Sequence, residues 1–191
     1  MIARGSSFLR EKMGERVLPA GLDLIEEPLR PFGPSSRPFD GEGVATGARS
    51  FVEDGVLKSW VLDCATARKL GMKTTGNASR GVSAPPSPSV GNTRLAGEGK
   101  SFGTLLTEMG TGLPITSMIG NSINWTTGDY SRGASGFWVE GGEIAYPVNE
   151  LTVAGNLLEI LASLRPGDDA DPFKAALVPS LLVEGLTIAG S

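Results

Sequence analysis

The stretch WTTGDYSRGASGFWVEGGEIAYPVNELTVAGN, from Trp125 to Asn156, decides the fold class of this chain. It opens on polar residues, Thr126-Thr127-Gly128-Asp129-Tyr130-Ser131-Arg132-Gly133, which read as a loop. Phe137-Trp138-Val139 and Ile144-Ala145-Tyr146-Pro147-Val148 then flank Gly141-Gly142. Aromatic and β-branched runs around Gly-Gly predict a β-hairpin, because glycine enters the positive-φ angles of a tight turn at little cost. Trp138 and Tyr146 fall on opposite strands, where cross-strand packing is their first use. Asn156 stands at an N-cap position with Glu159 three residues on, so a helix is predicted from Leu157 to Leu164.

Working outward, Ser6 or Ser7 is placed to cap a helix over Phe8 to Met13, with Gly14 as its stop. Residues 19–43 carry Pro19, Pro28, Pro31, Pro34 and Pro38, which break helix and confine strands to edges. Phe51-Val52 and Val56 to Leu62 form a second hairpin around Asp54-Gly55. Cys64 to Leu70 is a short helix ended by Gly71, and Thr74 to Gly99 is a Gly-, Ser- and Pro-rich long loop. Ser101 starts a helix to Met109-Gly110, and Pro114 to Ile119 is a strand. The ending Leu186-Thr187-Ile188-Ala189-Gly190 echoes Leu151-Thr152-Val153-Ala154-Gly155, a weak repeat signal. These segments predict a β-rich α+β domain, with antiparallel hairpins curled around one core and a few short helices.

Composition excludes whole classes of chemistry. With 191 residues, 40% hydrophobic and 20% charged, the chain is of ordinary globular make-up. No run of eighteen apolar residues predicts a membrane span, and the N-terminus lacks a signal-peptide core. One cysteine allows no internal disulfide, which fits a reducing cytoplasm. A net charge of −4 without a basic block leaves no nucleic-acid footprint. The chain has no histidine, so imidazole ligation and Ser-His or Cys-His pairs are ruled out within it.

The remaining local signals have plain readings. Gly97-Glu98-Gly99-Lys100-Ser101 looks like a phosphate loop, but the glycine required five residues before Gly99 is Arg94. Cys64 lacks an activating base and reads as core filling. Asp168, Asp169 and Asp171 miss the calcium-loop spacing and read as a solvated acidic turn. Asp129 and Arg132 are spaced for a local ion pair, worth about 0–1 kcal/mol if exposed. A binding role for Asp129, Tyr130, Ser131 and Arg132 stands beside that reading, since glycine-flanked polar loops on rigid hairpins commonly carry binding groups.

Gly128 to Glu140, with Gly142-Glu143-Ile144, Tyr146-Pro147-Val148 and Thr152 to Leu157, resembles the C-terminal domain of TldE (PmbA) members of the TldD/PmbA family, the "modulator of DNA gyrase" proteins. Asp40-x-Glu42-Gly43-Val44, Asp54-Gly55-Val56-Leu57, Ala67 to Gly71, Lys73-x-Thr75-Gly76 and Glu108 to Leu113 extend the likeness over nearly the whole chain, in order. The resemblance implies that residues 1–191 are one such C-terminal domain, cut from a longer protein whose N-terminal part is absent. It implies a cytoplasmic two-subunit zinc metalloprotease acting on unfolded or modified peptides, with zinc held by a TldD-like partner through a His-Glu-x-x-x-His helix and a later cysteine. Residues 165–181, where that cysteine would fall, contain none, which sides with the TldE form. The implied role is a non-catalytic subunit without catalytic or metal residues of its own, shaping a peptide cleft with its partner. A structural homo-oligomerisation domain and a self-contained carboxylate hydrolase are the alternatives.

Overall fold

The Gly141-Gly142 turn forms where the aromatic runs place it, with φ angles of 60° and 84°. The computed structural model describes residues 2–190, the side chain of Asn121 excepted. In chain order the elements are β1 (Asp23–Glu26), β2 (Arg49–Glu53), β3 (Val56–Leu57), α1 (Cys64–Lys69), β4 (Ala78–Ser79), β5 (Ser87–Pro88) and β6 (Thr93–Ala96). There follow α2 (Phe102–Met109), β7 (Ile115–Ile123), β8 (Asp129–Glu140), β9 (Glu143–Asn156), α3 (Leu157–Ala162), β10 (Arg165–Pro166), β11 (Ala176–Leu177), β12 (Leu181–Leu182) and β13 (Thr187–Ala189). The β-rich α+β class is as the sequence predicts. The elements divide into two units. The first holds Leu9–Gly97 with Ala170–Pro179; the second holds Glu98–Asp169 with residues 180–190.

The first unit is built on a five-stranded sheet of order β11-β6-β1-β2-β3, antiparallel except for β11 beside β6. Leu18, Leu22, Phe51, Val52, Leu57 and Leu62 are among its buried apolar side chains. Asp54 (φ 44°) and Gly55 (φ 74°) make the β2–β3 turn, the double positive-φ pattern that matches strand twist. β1 lies between β6 and β2, at the centre of the sheet, not at the edge that the surrounding prolines predict. Its four residues include no proline, so every N–H can serve a ladder. The stretch expected as one long loop carries β4, β5 and β6. Buried Asn77 and Asn92 organise it: the Asn77 amide donates to the Glu26 carboxylate at 2.7 Å, and the Asn92 side-chain oxygen accepts from Ser35 N–H at 3.0 Å. Such amide anchors stand in for the missing periodic pattern.

The helix expected over Phe8 to Met13 is instead a series of turns, with Lys12 N–H bonded to Leu9 O and Glu15 N–H to Lys12 O. The helix at α1 does form, because Asp63 accepts from Thr66 N–H at 2.6 Å.

The second unit carries a four-stranded antiparallel sheet of order β13-β9-β8-β7. Leu105, Ala134, Val139, Val153 and Leu164 are its buried apolar residues. Ser101 caps α2, accepting from Thr104 N–H, and Gly110 closes it at φ 64°. Asn156 caps α3 by accepting from Leu158 N–H at 3.0 Å. α3 stops at Ala162, short of Leu164, because Leu164 is drawn into the core and the chain turns into β10. The two echoed pentapeptides face each other: Thr187 pairs with Ala154, Ile188 with Val153 and Ala189 with Thr152. The echo is one ladder built from two like strands.

Candidate functional site

Asp129, Tyr130, Ser131 and Arg132 are not in a loop. They open β8, paired on one side with β9 and on the other with β7. Their polarity hid the strand, whose register comes from its neighbours. Strand alternation places Asp129 and Ser131 on one face and Tyr130 and Arg132 on the other, so the four do not form one cluster. Asp129 accepts from Thr127 Oγ1 at 2.5 Å and lies 3.5 Å from Asn156 Nδ2, which ties it to the turn before the strand. Arg132 Nε donates to Gly120 O of β7 at 2.9 Å. Among the described residues Asp129 and Arg132 make no ion pair with each other. Tyr130 OH donates to Met118 Sδ at 3.2 Å.

Tyr130 alone of the four lines an open groove of about 830 Å³ within the second unit. Phe102, Leu105, Leu106 and Met109 of α2 form one wall, spaced i, i+3, i+4, i+7 along a single helix face. Met118, Val153, Leu157 and Ile160 supply the floor, and residues 180–188 the facing wall. Phe102, Met118, Leu181 and Ile188 are each between 37% and 43% exposed, so the groove gathers large apolar side chains that water still reaches. The sequence predicts this helix from its cap at Ser101, but no local signal shows that its apolar face is incompletely covered.

Charge enters at one wall. Arg165 lies between Glu108, at 3.5 Å, and Glu184, and all three line the groove. Lys100 Nζ reaches Glu108 at 2.5 Å, so the lysine of the apparent phosphate loop is engaged by a carboxylate. The acidic turn is also more than solvated: Asp169 accepts from Ser180 Oγ at 2.6 Å and Ser180 N–H at 2.7 Å. Those donors hold its carboxyl below the ordinary range.

In the first unit the Asp40-x-Glu42-Gly43-Val44 motif is a backbone staple. Asp40 Oδ1 accepts from Glu42 and Val44 N–H, and Oδ2 from Ala78 N–H, each at 2.9 Å. Burial works against its charge, but these three donors, with the nearby Arg37 charge, hold its carboxyl below the usual value. Glu42 in turn accepts from Cys64 N–H at 2.8 Å. Glu26, fully buried, receives Asn77 Nδ2 and Gly91 N–H, the latter at 2.6 Å. Nothing local in the sequence marks the polar residues Glu26, Asn77 and Asn92 as buried.

Cys64 is half-buried. Its hydrogen bond to the Glu42 carboxylate, then burial and the Glu42 charge, push the thiol pKa up. A thiolate is the reactive form, so Cys64 is expected to react with a disulfide reagent at pH 8 more slowly than free cysteine. Glu42→Gln is expected to speed that reaction several-fold. Equal rates in the two proteins would show that Glu42 does not govern the thiol.

Among the described residues, no three His, Cys, Asp or Glu side chains converge as a metal site requires, and no helix is long and apolar enough to cross a membrane.

The family model for the PmbA/TldA metallopeptidase C-terminal domain matches residues 1–190. The chain is 43% identical over 190 residues to the metalloprotease PmbA of Escherichia coli O157:H7, covering 99% of this chain and 40% of that protein. A crystal structure from Bacteroides thetaiotaomicron, described as a modulator of DNA gyrase, matches with a TM-score of 0.87 at 30% identity, over 100% of this chain and 41% of that one. TldE from Thermococcus kodakarensis shares the fold, with a TM-score of 0.84 at 24% identity, over 99% and 44% of the two chains. The chain thus spans about 40% of the length of the curated PmbA relative it matches.

Proposed function

This chain belongs to the PmbA/TldD metallopeptidase family, and from that premise we propose that it is the C-terminal part of a non-catalytic, TldE-like subunit. In this reading it pairs in the cytoplasm with a zinc-bearing TldD-like subunit and shapes the cleft in which unfolded or modified peptides are cut. The observation that carries the reading is the 43% identity to PmbA along 99% of the chain.

The absence of a cysteine from residues 165–181, where the family's cysteine ligand would fall, supports a non-catalytic role. Zinc in proteins is normally held by three or four side chains, mostly imidazole and thiolate. This chain has no histidine and one thiol, and among its described residues no three His, Cys, Asp or Glu side chains converge. These residues do not fit zinc. What the chain offers a peptide is a binding surface: the apolar groove lined in part by Tyr130, beside a four-stranded sheet.

The test is peptide hydrolysis by this chain alone and mixed with a TldD-like subunit, with metal analysis of each after dialysis. The chain alone is expected to hold no stoichiometric zinc and to cut nothing, while the mixture cuts unstructured peptides and elutes as one larger species. About one tightly held zinc per chain, or hydrolysis without the partner, would overturn the non-catalytic role. A stable dimer of this chain that ignores the TldD-like subunit would favour the homo-oligomer alternative.

A further inference from the structure

The groove in the second unit pairs an apolar trough with one guanidinium at its wall, and the partner of that guanidinium is a weakly held carboxylate of the same chain. Arg165 is shared between Glu108 and Glu184. The two acids are not equivalent. Glu108 is anchored in α2 and further neutralised by Lys100 at 2.5 Å, whereas the Glu184 side chain is 68% exposed. An exposed ion pair of that kind contributes little, because water and salt screen it and a long side chain must be ordered to make it.

The main chain at Glu184 is secured independently of its side chain. Glu184 N–H donates to Ser163 Oγ at 3.2 Å, and β12 and β13 on either side are paired with β10 and β9. The Glu184 carboxylate can therefore leave Arg165 without the wall coming apart. Two cations, Lys100 and Arg165, then face the single carboxylate of Glu108, and the groove mouth is one negative charge short. Arginine offers a planar fork of donors that matches a carboxylate two-to-two. Beside it lie Phe102, Met109, Met118, Leu181 and Ile188, with the two methionines able to reshape around differing apolar side chains.

We propose that this groove binds the C-terminal residue of a peptide, its free carboxylate on Arg165 and its apolar side chain in the trough, and that Glu184 occupies the carboxylate position when no peptide is present. The inference rests on the peptide-handling reading above, and adds to it the part of the peptide that this chain recognises. Charge complementarity chooses the occupant: an apolar group alone would leave Arg165 unused, and an internal segment offers a carboxylate only where it carries Asp or Glu, whereas every peptide with a free C-terminus ends in one.

The experiment is calorimetric titration of this chain with N-acetyl-Gly-Leu-Phe as free acid, the same peptide as C-terminal amide, and decanoate. The acid is expected to bind at least about tenfold more tightly than the amide, the scale of one charge-assisted hydrogen-bonded pair. Glu184→Gln removes the internal competitor and is expected to tighten the acid several-fold while leaving the amide unchanged. Arg165→Gln is expected to erase the acid-over-amide preference. Should that variant fail to fold, the Glu184→Gln comparison decides by itself. Equal binding of acid and amide, a Glu184→Gln variant that binds the acid no better, or decanoate binding more tightly than the peptide acid would each overturn the proposal. No partner subunit and no hydrolysis enter the measurement, so failed assembly with a TldD-like subunit would leave it untouched, and its own failure would leave assembly untouched.

Discussion

Asp40→Ala is expected to destabilise the first unit by about 3 kcal/mol or more, since it strands one buried and two part-buried backbone donors at once and an orphaned donor costs about 1–3 kcal/mol. Asp40 is only 4% exposed, so water cannot readily replace its carboxylate. It accepts from Glu42, Val44 and Ala78, which joins the turn after residue 40 to the start of β4. Asp40→Asn keeps one acceptor oxygen and turns an amide against the other donors, so an intermediate loss is expected. Urea unfolding of the three proteins is the measurement, and a loss below about 1 kcal/mol for the alanine variant would show that the staple is redundant. The same residue sets a pH dependence. Its folded pKa lies below the unfolded one, so its stabilisation is present at neutral pH and is lost as pH falls through the carboxylate range, below about 4. Asp54, lowered by the Gly21 N–H and by Arg16, acts in the same direction. The acid limb of stability against pH is therefore expected to flatten in the Asp40 variants.

Gly55→Ala is expected to cost about 3–5 kcal/mol, far more than the same change at Gly141. Both glycines sit in hairpin turns at positive φ, 74° and 60°, where a side chain costs roughly 1 kcal/mol or more. The difference is what a Cβ would meet. At Gly55 it would stand 2.2 Å from Leu18 O and 2.6 Å from Pro19 O, backbone atoms that cannot swing aside. At Gly141 nothing lies within 4 Å. Gly141→Ala is thus expected to lose only about 1 kcal/mol, and thermal unfolding of the pair separates strain from collision. Similar losses at the two positions would mean that the turn at Gly55 can shift to admit a methyl group.

What could be read in advance follows the range of the forces involved. The Asp54-Gly55 and Gly141-Gly142 turns and the caps at Ser101 and Asn156 depend on residues at most a few positions apart, and each forms as its spacing predicts. The start of β8 does not, because Asp129 to Arg132 become a strand only by pairing with β7 and β9. β1 reaches the centre of its sheet through partners drawn from residues 49–52 and 93–96. The candidate binding residues illustrate the same limit. Adjacent in sequence, they are split between two faces once the strand forms, and the groove takes only Tyr130. Its other walls come from α2, α3 and residues 180–188, which no local motif connects.

The order in which the chain is laid down has a consequence for how it folds. β11 completes the first sheet as a parallel neighbour of β6, yet roughly seventy residues of the second unit separate them. Closing an unstructured loop of that length carries an entropic cost that a pre-folded insert largely removes, because folding brings the ends of the insert together beforehand. The kinetic order that lowers the barrier has the second unit condensing first from its long consecutive hairpin, whose contacts are local and quick to form. Residues 170–179 then dock onto β6. The earlier-synthesised unit is finished last, so its open β6 edge is the surface that a nascent chain would expose longest to aggregation.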